Sequence, residues 1–210
     1  MKDVRVFFSK KGRLRFISHL DMNRFFTRVL RKSGLPLWYT EGFNPHLYLT
    51  FALPLSLGFE SEYEVVDFRI TDDSLDLAEV ADKLSPVLPE DIKIIKVCEP
   101  VMKPGKISAA GFDLAFESET EAQDFFRFLK EGNIVVSKKT KRGSIKEINV
   151  SEKIISYSLS ENTVSLILPA GNDNINPSLL VTEYNRKKEK NVYVSYTRTA
   201  VYAEENKLFE

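Results

Sequence analysis

An α+β chain made of two halves, each running β-α-β-β-α-β, is the fold class that three observations predict. Short period-2 apolar runs alternate with stretches of helical periodicity along the chain. The segment Pro100–Gly105 carries two prolines and a glycine in six residues, the composition of a linker. Beyond it the order of elements repeats, although the residues do not.

In the first half, Val4–Ser9 reads as a strand. Lys10-Lys11-Gly12 turns it into a second strand over Arg13–Ile17, where charged and apolar side chains alternate. Ser18 stands three residues before Asp21, the spacing of a capping box in which the hydroxyl accepts an orphan helix N–H. Met22, Phe25 or Phe26, Val29 and Leu30 then recur at three- and four-residue spacing. They predict an amphipathic helix from His19 to Ser33, ended by Gly34 and Pro36. Leu37–Thr40 has the composition of a short strand, Glu41–His46 turns at Gly42 and Asn44-Pro45, and Leu47–Phe51 is extended again. A loop between Pro54 and Gly58 leads to a strand over Glu62–Ile70, a helix over Leu75–Leu84 stopped by Pro86 and Pro89, and a strand over Ile92–Val97.

In the second half, Gly111–Glu117 is a strand. Glu119–Lys130 is a helix with Ala122, Phe125, Phe126 and Leu129 on one face and Gly132 beyond its end. Strands follow at Ile134–Ser137, near Ile154–Leu159 and at Val164–Leu168. Pro177–Tyr184 is a helix with Pro177 in its first turn, and Val192–Tyr202 closes as a strand. The order is that of the ferredoxin-like split unit. Two ferredoxin-like domains in tandem are therefore expected, one over residues 1–100 with the arginine-bearing helix and one over 106–210.

Charge narrows the partner class. Lysine plus arginine equals aspartate plus glutamate at 30 each, so overall charge favours no partner. The distribution is uneven: residues 1–50 hold ten Lys/Arg against three acids, and residues 51–100 hold twelve acids against four bases. The single cysteine, Cys98, sits in an apolar run, excludes an intrachain disulfide and fits a reducing, cytoplasmic setting. No signal peptide opens the chain and no apolar run has the length of a membrane span.

The candidate site lies between Arg13 and Glu64, a stretch that holds both histidines and the only tryptophan. Arg24, Arg28 and Arg31 fall at i, i+4 and i+7 and share one helix face, with Lys32 beside them. On one reading this is a solvated face with Asp21 pairing Arg24. On the other it is a row of guanidinium forks for phosphates, which planar bidentate donors suit better than ammonium groups. Arg15 and His19 precede that row. Tyr39, Phe43, His46 and Tyr48 follow it, as a stacking platform for a base or as packing residues with polar tips, and Asn44 in the same loop is a further substrate-binding candidate. The basic runs Lys138–Arg142 and Arg186–Lys190 are a solvated hairpin tip and helix end, or further walls of an RNA-binding cleft.

The motifs Lys11-Gly12, Leu14-Arg15-Phe16-Ile17-Ser18-His19-Leu20-Asp21, Arg24, Arg28, Leu30-Arg31, Gly34-Leu35-Pro36, Glu41-Gly42-Phe43-Asn44-Pro45-His46, Pro54-Leu55 to Gly58 and Glu60-Ser61-Glu62 carry a resemblance, extended more loosely by Tyr196-Thr197-Arg198-Thr199. The chain resembles the radical-SAM-linked family of bacterial proteins, found beside or fused to a radical SAM protein with a cobalamin-binding-type domain. It departs from that pattern after His46, where Leu47-Tyr48 replaces a proline and a basic residue. The resemblance implies a radical SAM protein as partner and lends no catalytic residue.

Other chemistries have less support. One cysteine cannot ligate an iron–sulfur cluster, and the chain has neither a P-loop nor a G-x-G-x-x-G run. His19 and His46 lack the spacing of a metal site, so no cofactor is expected. The expected function is a non-catalytic accessory module that works with a radical SAM protein and holds RNA or another anionic substrate. One alternative is a metal-independent endoribonuclease resembling the CRISPR repeat-processing enzymes, with His19 or His46 as general acid/base and Tyr39 and Arg24 assisting. Another is a protein-binding adaptor docking through its acidic 60–91 region.

Overall fold

The computed structural model describes residues 1–139 and 145–210. The fold is α+β, and the chain divides into two compact units. The first spans Met1–Lys106 together with Phe209–Glu210; the second spans Ile107–Leu208.

The first unit runs β1 (Lys2–Lys10), α1 (His19–Lys32), β2 (Leu49–Phe51), β3 (Phe59–Ile70), α2 (Leu77–Leu84) and β4 (Ile92–Cys98). Its strands lie in the order β4-β1-β3-β2, each antiparallel to its neighbour. Alternation along β1 sends Val4, Val6 and Phe8 to one face, where Met22, Phe26, Val29 and Leu30 of α1 and Val80 and Leu84 of α2 cover them. Arg5 and Phe7 point to the other face. There Arg5 donates to both oxygens of Asp67 and lies over the ring of Phe209, while Phe7 meets Tyr63 edge-on. The Tyr63 hydroxyl donates to the Phe209 carbonyl at 2.9 Å, so the last residues are tied to this unit.

Two expectations for the first half are corrected. Residues 12–16 form a 3-10 turn (Gly12–Phe16), not a strand over Arg13–Ile17. Gly12 takes φ +60, and Leu14 and Ile17, three apart, pack on the core while Phe16 stays 62% exposed. Strand alternation needs Leu14 and Phe16 on the same side; three-residue periodicity separates them. Leu37–Thr40 is likewise no continuous strand, since it makes only the isolated bridges Leu37↔Ile70 and Tyr39↔Leu47.

The second unit runs β5 (Ile107–Phe116), α3 (Glu119–Glu131), β6 (Val135–Lys139), β7 (Ile145–Asn149), β8 (Ser156–Ser160), β9 (Thr163–Pro169), α4 (Pro177–Lys188) and β10 (Val194–Ala203). Four of its strands lie in the antiparallel order β10-β5-β9-β8, and β6 and β7 form a separate hairpin. The hairpin adds β7 to the expected elements. Phe125 of α3 packs against Phe116, Phe128 and Tyr184 at the centre of this unit. Phe128, not Phe126, joins Ala122, Phe125 and Leu129 on the buried face of α3.

Candidate functional site

The site is built on α1, and local chemistry sets where that helix begins. Ser18 is its N-cap: the hydroxyl accepts from the Asp21 backbone N–H at 3.1 Å and donates to the Asp21 carboxylate at 2.7 Å. That carboxylate also accepts from Arg24 at 3.1 Å. The Ser18 hydroxyl, and after it the Arg24 guanidinium, hold the Asp21 carboxyl below its usual value. A carboxylate in the first helical turn is itself favoured by the helix dipole.

Met22, Phe26, Val29 and Leu30 turn inward, which sends the opposite face of α1 to water. Arg24, Arg28 and Arg31 occupy that face within an arc of about 60°, over about 10 Å of helix axis. All three are exposed. Arg24 is joined to Asp21. Among the described residues, Arg28 and Arg31 have no ion-pair partner. Arg31 and Lys32 lie in the last turn, where the dipole favours cations, and the Arg31 guanidinium stands 5.9 Å from the ring centroid of Tyr39.

Tyr39 opens the loop that follows α1. The Tyr39↔Leu47 bridge and a hydrogen bond from the Thr40 N–H to the His46 carbonyl, 2.8 Å, close the base of that loop. His46 is exposed; its N–H donates to the Thr40 hydroxyl at 3.1 Å and its ring Nδ1 lies 3.0 Å from the same oxygen. Asn44 is exposed near the tip, with its carbonyl 3.4 Å from the same Nδ1. Phe43 stands wholly in water.

Arg24, Arg28 and Arg31 thus share one face of α1, with Tyr39 beside Arg31 and Asn44 and His46 on the loop that Tyr39 opens. His19 lies elsewhere on the helix: its ring packs edge-on to Phe51, with centroids 5.5 Å apart, and its Nε2 is 3.2 Å from the Asn23 amide. Arg15, on the 3-10 turn, stacks its guanidinium over the neighbouring Phe16 ring at 4.8 Å. Among the described residues neither histidine pairs with a carboxylate, and no group of three histidine, cysteine or acidic side chains is placed to hold a metal.

Sequence reasoning missed Arg69. Its guanidinium covers both Tyr48, at 4.6 Å, and Trp38, at 5.4 Å, and pairs with Asp3. Tyr48 is therefore engaged within the chain. An arginine on a strand 21 residues from Tyr48 carries no local signal for that contact.

The basic run at the end of α4 and just beyond it is likewise engaged. Arg186 and Lys187 pair with Glu183, Lys188 with Glu131 and Lys190 with Asp124. Of the Lys138–Arg142 run, residues 140–142 lie outside the described residues. No helix among the described residues is long and apolar enough to cross a membrane.

No curated protein matches the chain. The chain belongs to the bacterial family described as "Uncharacterized protein conserved in bacteria (DUF2344)", which it matches over residues 3–192.

Proposed function

We propose that the chain is a non-catalytic accessory module that holds an anionic substrate, RNA foremost, on the outer face of α1 and presents it to a radical SAM protein. One observation carries the binding part. Three guanidinium groups share one outward arc of a well-capped helix, and two of them lack an ion-pair partner among the described residues. Arginines left unpaired in water cost little and remain available for bidentate phosphate contacts. The radical SAM partner rests on the resemblance of the motifs from Lys11 to Glu62, and a cytoplasmic setting on the lone cysteine. Both units fit the ferredoxin-like reading, because each places its strands, in chain order, as fourth, first, third and second across the sheet. In the second unit the β6–β7 hairpin is then an insertion.

Charge reversal tests the binding part. Arg24, Arg28 and Arg31, each replaced by Glu, should abolish retention of RNA by the full chain at low salt. Unchanged retention refutes it.

A protein-docking reading has its own support in Phe16, Leu20 and Leu57, each about 60% exposed, at the start of α1 and the loop beside it. Gly58 donates to the Arg15 carbonyl at 2.7 Å, which brings that loop against the 3-10 turn. Co-purification of a protein without nucleic acid, lost on Leu20→Glu, favours this reading over RNA.

A further inference from the structure

Phe43 has no part in the fold. Its side chain is 108% exposed relative to an extended reference, while Phe8, Phe26, Phe51 and Phe68 form the core of the same unit. The loop that carries it is closed at its base by the Tyr39↔Leu47 bridge and the Thr40–His46 hydrogen bonds. Gly42, at φ +113, and Pro45 shape the turn between them. The ring is thus presented on a structured loop.

Its surroundings indicate what it meets. The loop begins at Tyr39, against which Arg31 stands. Four residues of extended chain span at most about 14 Å, so the Phe43 backbone lies within that distance of the Tyr39 backbone, and the Tyr39 ring in turn faces Arg31. The other residues of the turn, Glu41, Gly42, Asn44, Pro45 and His46, are all exposed, and three of them, Glu41, Asn44 and His46, are polar. Apart from Pro45, the side chains beside it in the turn are polar or absent, so it is not part of an apolar patch within the loop. Glu41 disfavours a phosphate at the loop while the arginines favour phosphates along the helix. The chemistry that satisfies both is a strand whose backbone lies on α1 and whose base lies on the loop. Bases locked inside a duplex offer no face to such a ring, but an unpaired base does.

We infer that Phe43 is a base-stacking residue, so that the substrate class held by α1 is single-stranded nucleic acid with an unpaired base over the loop. This rests on the reading of α1 as a polyanion-holding face.

The test measures binding of the full chain to a labelled single-stranded oligoribonucleotide of about 12 nucleotides, the matching duplex, and inorganic polyphosphate. Phe43→Ala should weaken the single strand by roughly tenfold, leave polyphosphate unchanged, and regain affinity as Phe43→Trp. Phe43 carries no core contact, so the fold is not at stake. Equal affinity of wild type and Phe43→Ala for the single strand, or an equal loss for polyphosphate, overturns the stacking role and leaves the α1 reading intact. Loss of a co-purifying protein with RNA affinity unchanged overturns it in favour of protein docking. Indifference of every ligand to reversal of the three arginines overturns the underlying reading instead.

Discussion

Asp67→Ala leaves a guanidinium buried without its counter-ion. Arg5 is fully buried on β1, and its Nε and Nη2 donate to the two Asp67 oxygens at 2.8 and 2.7 Å. Its Nη1 finds no hydrogen-bond partner among the described residues, and its Cζ lies 4.5 Å from the centroid of Phe209. Asp67 is therefore the main compensation for the buried charge. Removing one member of such a pair costs about 3–5 kcal/mol, because the remaining ion cannot return to water. For a chain of this size each kcal/mol moves the melting temperature by about 2–4 °C, so a fall of roughly 6–20 °C is expected. The variant Arg5→Met/Asp67→Leu removes both charges and should recover most of the loss. Urea denaturation followed by circular dichroism, run on Arg5→Met, Asp67→Leu and the double variant as a double-mutant cycle, gives the coupling directly. A loss under about 1 kcal/mol for Asp67→Ala, or a double variant no better than the single one, refutes this reasoning.

Two further outcomes follow from individual contacts. Ser18→Ala removes the hydroxyl that caps α1 and should cost about 1 kcal/mol in chemical denaturation; wild-type stability contradicts the capping role. Burial pushes the phenols of Tyr63 and Tyr196 up to about 12, so the folded chain favours their neutral forms. Their contribution is complete below pH about 10 and is lost as pH rises from about 10 through 12. Alkaline titration of tyrosinate absorbance beside circular dichroism should show these ionisations late and accompanied by unfolding. Full ionisation near pH 10 with the fold intact contradicts it.

What the sequence makes legible is what depends on near neighbours. Ser18, Asp21 and the apolar stripe from Met22 to Leu30 lie within four residues of their partners, and α1 begins and ends within a residue of where they place it. The arginine face follows from the same periodicity. Four alternating residues after Lys11 could not separate a strand from a 3-10 turn, because Leu14 and Ile17 satisfy a three-residue period as well. The hold of Arg69 on Trp38 and Tyr48, the Arg5–Asp67 pair, and the pairing of Lys188 and Lys190 with the α3 carboxylates Glu131 and Asp124 all join residues far apart in the chain. No local pattern announces them. Composition shows Phe43 as an aromatic in a turn; only three-dimensional packing shows that nothing covers it.

The salt dependence of RNA affinity tests the central claim most directly. Each single-strand phosphate neutralised contributes about 0.7 to the slope of log affinity against log salt. Replacing Arg24, Arg28 and Arg31 with Ala should therefore flatten the slope by about 2, with Arg28 and Arg31 each contributing more than the Asp21-paired Arg24. Parallel lines for wild type and variant would show that these guanidinium groups touch no phosphate, and would contradict the account.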